Sequence, residues 1–275
     1  MKRLSAIIFQ LILMFFAASS SAQNNDFKAM QGLGNPDYHA VISPELKQTY
    51  HLFVRLPAEY DKKVKYPTVY LLDGGITFPM LSGFYHYLRF TDEIPKMILV
   101  GISYGSDDFK TGNNRSRDYT AKSAERDYWG GAGVFAKVLR QKIMPLVEKR
   151  YPADPAQRVI FGQSIGGQFV LYAALTQPDL FAGYIASNPA LHRNLPFFLQ
   201  RHSKAAKTAA LPRLFVSDGA DDDPRFRVPA LKWMKHWQSQ TKLPWLLKTT
   251  TLPGQSHMSA APEAFRQGIR WIFER

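Results

Sequence analysis

Two hydrophobic rhythms run along this chain. Thr49–Leu56 alternates apolar and polar residues, as a half-buried strand does, and stops at Pro57. Tyr66–Leu72 and Ile94–Ile102 are instead almost continuously apolar, the pattern of strands covered on both faces. Arg158–Phe161, Phe181–Ser187, Leu211–Ser217 and Leu246–Leu252 are also strand-like. Between them, helical spacing predicts helices around Phe78–Phe90 and over Gly130–Tyr151, Gln168–Leu175, Val228–Gln240 and Pro262–Glu274. In the second of these, Val134, Phe135, Val138, Leu139, Ile143 and Leu146 share one face. Residues 23–46 carry Gly32, Gly34, Pro36 and Pro44 with little periodicity, and predict an extended lead-in.

Strands alternating with helices from residue 66 onward imply an α/β fold, a mostly parallel sheet with helices on both faces. No repeat or Ser/Gly linker divides the chain, so residues 23–275 are expected to form one domain. Open parallel sheets place their sites beyond the carboxyl ends of the strands. Gly74, Ser164, the Asp218–Asp223 loop and His257 all fall there.

Gly162-Gln163-Ser164-Ile165-Gly166-Gly167 fits a sharp turn from strand to helix with a serine at its apex. Glycines on either side let the backbones approach, and the helix N-terminus behind the serine suits a developing negative charge. A second match, Gly101-Ile102-Ser103-Tyr104-Gly105, follows a good strand but leads into the loop Ser106–Asn114 instead of a helix. Context therefore selects Ser164 as the nucleophile over Ser103.

A serine hydroxyl needs a base held by an acid, which in this architecture follow the serine in the order acid, then histidine. His236 and His257 lie beyond the acid loop. His236 sits inside a predicted helix, whereas His257 lies in a loop after strand Leu246–Leu252, so His257 is the expected base. Between Ser164 and His257 stand five aspartates and no glutamate. Asp179 belongs to a helix-end turn, and Asp218 ends its strand and suits bracing the turn that follows. Loop reach favours Asp221–Asp223, among which Asp222 is chosen, with Asp221 and Asp223 as alternatives. The oxyanion donors are expected at the backbone N–H groups of Ile165 and Gly75.

Met1-Lys2-Arg3, an apolar stretch from Leu4 to Phe16 and a small-residue end read as a signal peptide over residues 1–22, cleaved after Ala22. Its apolar core is shorter than the roughly 20 residues of a bilayer span. Export to the periplasm or the medium is expected, and the absence of cysteine leaves stability to the core. The formal charge is +13, of which Lys2 and Arg3 belong to the leader. The basic residues are scattered without a nucleic-acid motif, so a small-molecule ester, anionic in one version, is the expected partner. Gly130-Gly131-Ala132-Gly133 lacks the strand before it and the Gly-Lys-Ser/Thr ending of a phosphate loop, and reads as a helix start. With no metal-ligand cluster or dinucleotide fingerprint, no cofactor is expected.

Several ordered blocks together resemble the esterase D-like family of the α/β-hydrolase fold. They are Leu56–Asp61, Tyr66–Gly74, Arg117–Thr120, Gly130–Phe135, Gly162–Gly167 and Pro253–His257, spread over residues 44–274. The resemblance implies ester hydrolysis through an acyl-enzyme, with Ser164 and His257 at the nucleophile and base positions. Among its members, the periplasmic siderophore-trilactone esterases are the most similar. Some of these manage without an ordinary acid, so the resemblance does not choose among the aspartates or decide against a Ser–His dyad. Gln163 replaces the family's usual histidine and, flanking the serine, is expected to be without consequence. Arg117, Arg193 and Arg201 are candidate contacts for an anionic substrate. Phe197, Phe198 and Trp233 are weighed as ring contacts and assigned to the core. The alternatives are a carbohydrate (feruloyl or acetyl) esterase or acyltransferase on the same scaffold, and a non-catalytic envelope binding protein.

Overall fold

Strands β1 (Asp37–Ser43), β2 (Gln48–Arg55), β3 (Tyr66–Leu72), β4 (Ile98–Ser103), β5 (Ala153–Gln163), β6 (Gly183–Ser187), β7 (Arg213–Gly219) and β8 (Leu246–Leu252) form one sheet. Their order is β1-β2-β4-β3-β5-β6-β7-β8. The computed structural model describes residues 34–106, 108, 111–202 and 210–274, so the leader expected over residues 1–22 lies outside the described residues. From β4 to β8 every neighbouring pair is parallel, and β1 and β2 are added antiparallel at one edge.

The continuous apolar runs have a simple cause. Along β3, Tyr70 and Leu72 join the core on one face while Val69 and Leu71 join the core on the other. A strand buried twice has no polar side to show. One face is covered by α3 (Ala132–Val138), α4 (Met144–Arg150), α5 (Ile165–Thr176) and α7 (Pro224–Gln238). The other is covered by α1 (Gly74–Leu88) and the closing α8 (Ala261–Ile272). Two single-turn helices, α2 (Arg115–Asp118) and α6 (Leu195–Phe198), and a 3₁₀ turn at Arg89–Thr91 complete the set among the described residues.

Three differences from the sequence reading have physical reasons. The lead-in contains β1, whose outer positions are mostly exposed, so it carries little hydrophobic signal; it pairs with the edge of β2. Helix α1, expected around Phe78–Phe90, begins four residues earlier at Gly74, because the two glycines after β3 are its first residues. The helix predicted over Gly130–Tyr151 runs from Ala132 to Arg150 with a π turn at Leu139–Ile143. Pro145, at the start of α4, lacks the N–H that an unbroken ladder needs and crowds the carbonyl four residues back.

The chain passes from β3 to β4 on one side and then to β5 on the other, so the strand order reverses between β3 and β5. Such a reversal leaves a crevice beyond the carboxyl ends of the two strands. Gly75 follows β3 and Ser164 follows β5.

Candidate active site

Ser164 occupies the turn between β5 and α5 at φ 58°, ψ −117°, a conformation L residues rarely adopt. The turn is possible because Gly162 lies against the first turn of α5, where an added Cβ would come within 2.3 Å of the Gly166 backbone. Ser164 N–H donates to Ser187 O at 3.0 Å, which ties the turn to the end of β6. The strained backbone is thus held from both sides.

The structure brings Ser164, His257 and Asp222 together. Ser164 Oγ lies 2.8 Å from His257 Nε2, and His257 Nδ1 lies 2.9 Å from Asp222 Oδ2. With Asp222 as a carboxylate acceptor, Nδ1 carries the hydrogen and Nε2 is left to accept from the serine. The Asp222 side chain is 1% exposed and that of His257 16%. Phe226 stacks on the imidazole with centroids 4.1 Å apart and planes at 23°. Asp221 is exposed. Asp223 is exposed too, and its side chain accepts from Arg225 N to cap α7. Neither meets His257 as Asp222 does. Asp218 braces the sheet end, accepting from Arg227 Nε at 2.9 Å and Thr251 Oγ1 at 2.7 Å.

The loops that carry Asp222 and His257 are joined by their backbones. Ala220 N–H donates to Leu252 O at 2.9 Å and Asp221 N–H to Gln255 O at 3.0 Å. Gly219 permits the contact, since a Cβ there would meet Gln255 O at 2.2 Å. Two positioning side chains carried no sequence signal of their role. Asn188, at the end of β6, donates through Nδ2 to Asp222 Oδ2 at 2.7 Å. Gln163 donates through Nε2 to the backbone carbonyl of His257 at 2.5 Å, so the residue expected to be without consequence touches the backbone of the expected base.

Above Ser164 and His257 lies a pocket of about 270 Å³, with Gly75, Ile76, Arg115 and Met258 among its walls. Gly75 and Ile165 lie in the first turns of α1 and α5, where the first N–H groups have no intrahelical acceptor. Ser103, the other serine of the repeated motif, lies in the same wall, with Oγ accepting from Gly105 N at 3.2 Å. Asp73 and Arg115 form a bidentate pair in the pocket, with both bonds at 2.6 Å. Burial alone would lower the guanidinium's pKa; the charge and hydrogen bonds of Asp73 outweigh it and raise the pKa above the usual range. Tyr104, also in the wall, has its phenol pushed well up by burial and nearby Tyr119 and Asp118, and stays neutral.

The other candidate contacts lie elsewhere. Arg117 bonds the buried Asp118 at 2.6 Å, Arg193 pairs with Glu125 at 3.7 Å, and Arg201 donates to Lys242 O. Phe198 and Trp233 are fully buried and Phe197 stacks on Tyr172, as the core assignment expected. His236 packs edge-on to Trp237 on α7, away from the pocket. Among the described residues no group of three or more His, Cys, Asp or Glu side chains is placed to hold a metal. None of the described helices is long and apolar enough to cross a membrane.

The model of the family described as "Putative esterase" matches residues 43–266. The chain belongs to this esterase family. Ferri-bacillibactin esterase BesA of Bacillus subtilis is 32% identical over 171 residues, covering 56% of this chain and 58% of BesA. The apo-salmochelin esterase of Escherichia coli is 28% identical over 162 residues, covering 55% and 50%. The chain thus spans between half and three fifths of the length of these relatives. Among solved structures, a BES protein from Bacillus cereus superposes with a TM-score of 0.76 at 21% identity, covering 86% of this chain and 94% of that one. The enterobactin and salmochelin hydrolase IroE superposes at 0.68 and 22% identity, covering 87% and 95%. These likenesses identify the α/β-hydrolase fold for this esterase-family chain.

Proposed function

We propose that this protein is a serine esterase that works through an acyl-enzyme. The observation that carries the reading is the continuous relay from Ser164 Oγ to His257 to Asp222, with links of 2.8 and 2.9 Å, at a strained strand-to-helix turn. In the first half-reaction His257 Nε2 takes the Ser164 proton as Oγ bonds the ester carbonyl carbon, and the carbonyl π electrons move to oxygen. The backbone N–H groups of Gly75 and Ile165 receive that oxyanion. When the carbonyl reforms, the C–O bond to the alcohol breaks and the imidazolium returns its proton to the leaving oxygen. Water then repeats the sequence and releases the acid and the free serine. Asp222 holds the imidazole in its tautomer and favours its protonated form; Asn188 holds Asp222.

The substrate class we propose is a siderophore ester. Relatives named as esterases of ferri-bacillibactin, of apo-salmochelin and of triacetylfusarinine C support this, as does the excess of basic residues for an anionic ligand. The leader pattern of residues 1–22 supports export. The direct test is hydrolysis of a short p-nitrophenyl ester and of a catecholate trilactone. Ser164→Ala is expected to lose about 10⁴-fold or more in kcat, and Ser103→Ala to stay within a few-fold of wild type. Full activity of Ser164→Ala would refute the reading.

A further inference from the structure

Beside the pocket over Ser164 lies a second cavity of about 350 Å³, and the two share Gly75 and Ser103. Phe53, Phe78 and Pro79 give this slot its apolar sides, while Gly74, Gly75 and Gly105 keep it open. The two phenyl rings stand 5.9 Å apart at 34°, and Tyr38 backs Phe53 at 5.8 Å. Phe78 is seated low because β4 offers Gly101 beneath it; a Cβ there would fall 2.6 Å from Phe78 Cβ. Among the described residues that line it none carries a charge, whereas the neighbouring pocket holds the Asp73–Arg115 pair. The slot therefore suits a flat, uncharged, apolar group, and its rings favour another ring.

Position decides which part of an ester would enter. The imidazole must protonate the departing alcohol, so the alcohol leaves on the His257 side. The slot's walls include neither His257 nor Ser164, and it is reached across Gly75, one of the proposed oxyanion donors. A group that passes the oxyanion position on the side away from the base belongs to the acyl half. We infer that the Phe53–Phe78–Pro79 slot is an acyl subsite for a neutral aromatic ring, and that the enzyme selects esters whose acid part carries one. This inference rests on the esterase reading and deepens it.

The test compares kcat/KM for methyl 3-phenylpropanoate and methyl butanoate, which share an alcohol, by titrating the acid released. Benzyl acetate against ethyl acetate moves the ring to the alcohol. Wild type is expected to prefer the phenylpropanoate about tenfold, the discrimination one well-packed apolar group supplies. The acetate pair is expected to differ little. In Phe53→Ala the phenylpropanoate-to-butanoate ratio should fall to near one, and in Phe53→Leu, which keeps apolar volume, it should fall partway. Because the readout is a ratio, a general loss of activity or fold cancels. A wild-type ratio near one, a preference that follows the ring into the alcohol, or a ratio untouched in both variants would overturn the subsite. Failure of wild type on every ester would instead overturn the esterase reading beneath it.

Discussion

At the scale of single residues, what distinguishes the three adjacent aspartates is direction. Asp222 points inward to His257 and Asn188, whereas Asp221 and Asp223 are exposed. Asp222→Asn is expected to lower kcat about 10⁴-fold by favouring the wrong imidazole tautomer. Asp221→Asn and Asp223→Asn should remain within about threefold, and assays of the three variants side by side check this. A near-normal Asp222→Asn would leave a Ser–His dyad. Gln163 is the second residue to test. Its amide fixes the carbonyl of His257, so Gln163→Ala should cut kcat about 10- to 100-fold while changing KM little. Gln163→Glu keeps the shape but, when ionised, offers no donor to that carbonyl, and should fall as far. Equal kcat for Gln and Glu would show that shape alone matters. The sequence made Ser164 and His257 legible through motif, order and position. It chose Asp222 for the acid but gave no reason to separate it from Asp221 and Asp223, because successive residues of a turn diverge in direction and composition does not record which one turns in. Asn188 was illegible for the same reason: an asparagine after a strand looks like any other loop residue.

At the scale of elements, the central parallel strands β3 and β4 were readable because burial on both faces leaves a nearly unbroken apolar run. Strand β1 was not, since most of its side chains face water and its pairing with β2 is made by backbone groups common to all residues. The short helices α2 and α6 are single turns, too brief to establish a period. Element contacts also set a sharp requirement at Gly219, where the acid loop presses on the backbone at Gln255. In Gly219→Ala one backbone must move away from the other. We expect a loss of about 1–3 kcal/mol in stability, with a disproportionate fall in kcat from the displaced base. Thermal denaturation beside steady-state kinetics separates the two effects. A variant with wild-type melting temperature and wild-type kcat would refute the tight approach.

At the scale of the whole molecule, the formal charge of +13 is spread over the chain, and its consequence is a field felt by approaching ligands. For an anionic ester, kcat/KM should fall severalfold as ionic strength rises from about 0.01 to 0.15 M, because the Debye length shrinks from about 30 to 8 Å. A neutral ester of similar size should change little. Equal salt responses would show that the net charge does not guide the substrate. The site itself is gathered from across the sheet: Gly75 follows β3, Ser164 β5, Asn188 β6, Asp222 β7 and His257 β8. Helix α8, which follows His257, packs its Phe265 and Ile269 into the same core as Phe161 of β5 and Ile185 of β6. This layout has a consequence for the life of the chain before it is finished. In the proposed reading the base follows the nucleophile by 93 residues, and the sheet that positions it is closed by a helix that comes later still. On the esterase reading, a growing chain that has made Ser164 but not His257 carries its serine in silence, and hydrolysis is expected only once α8 has docked.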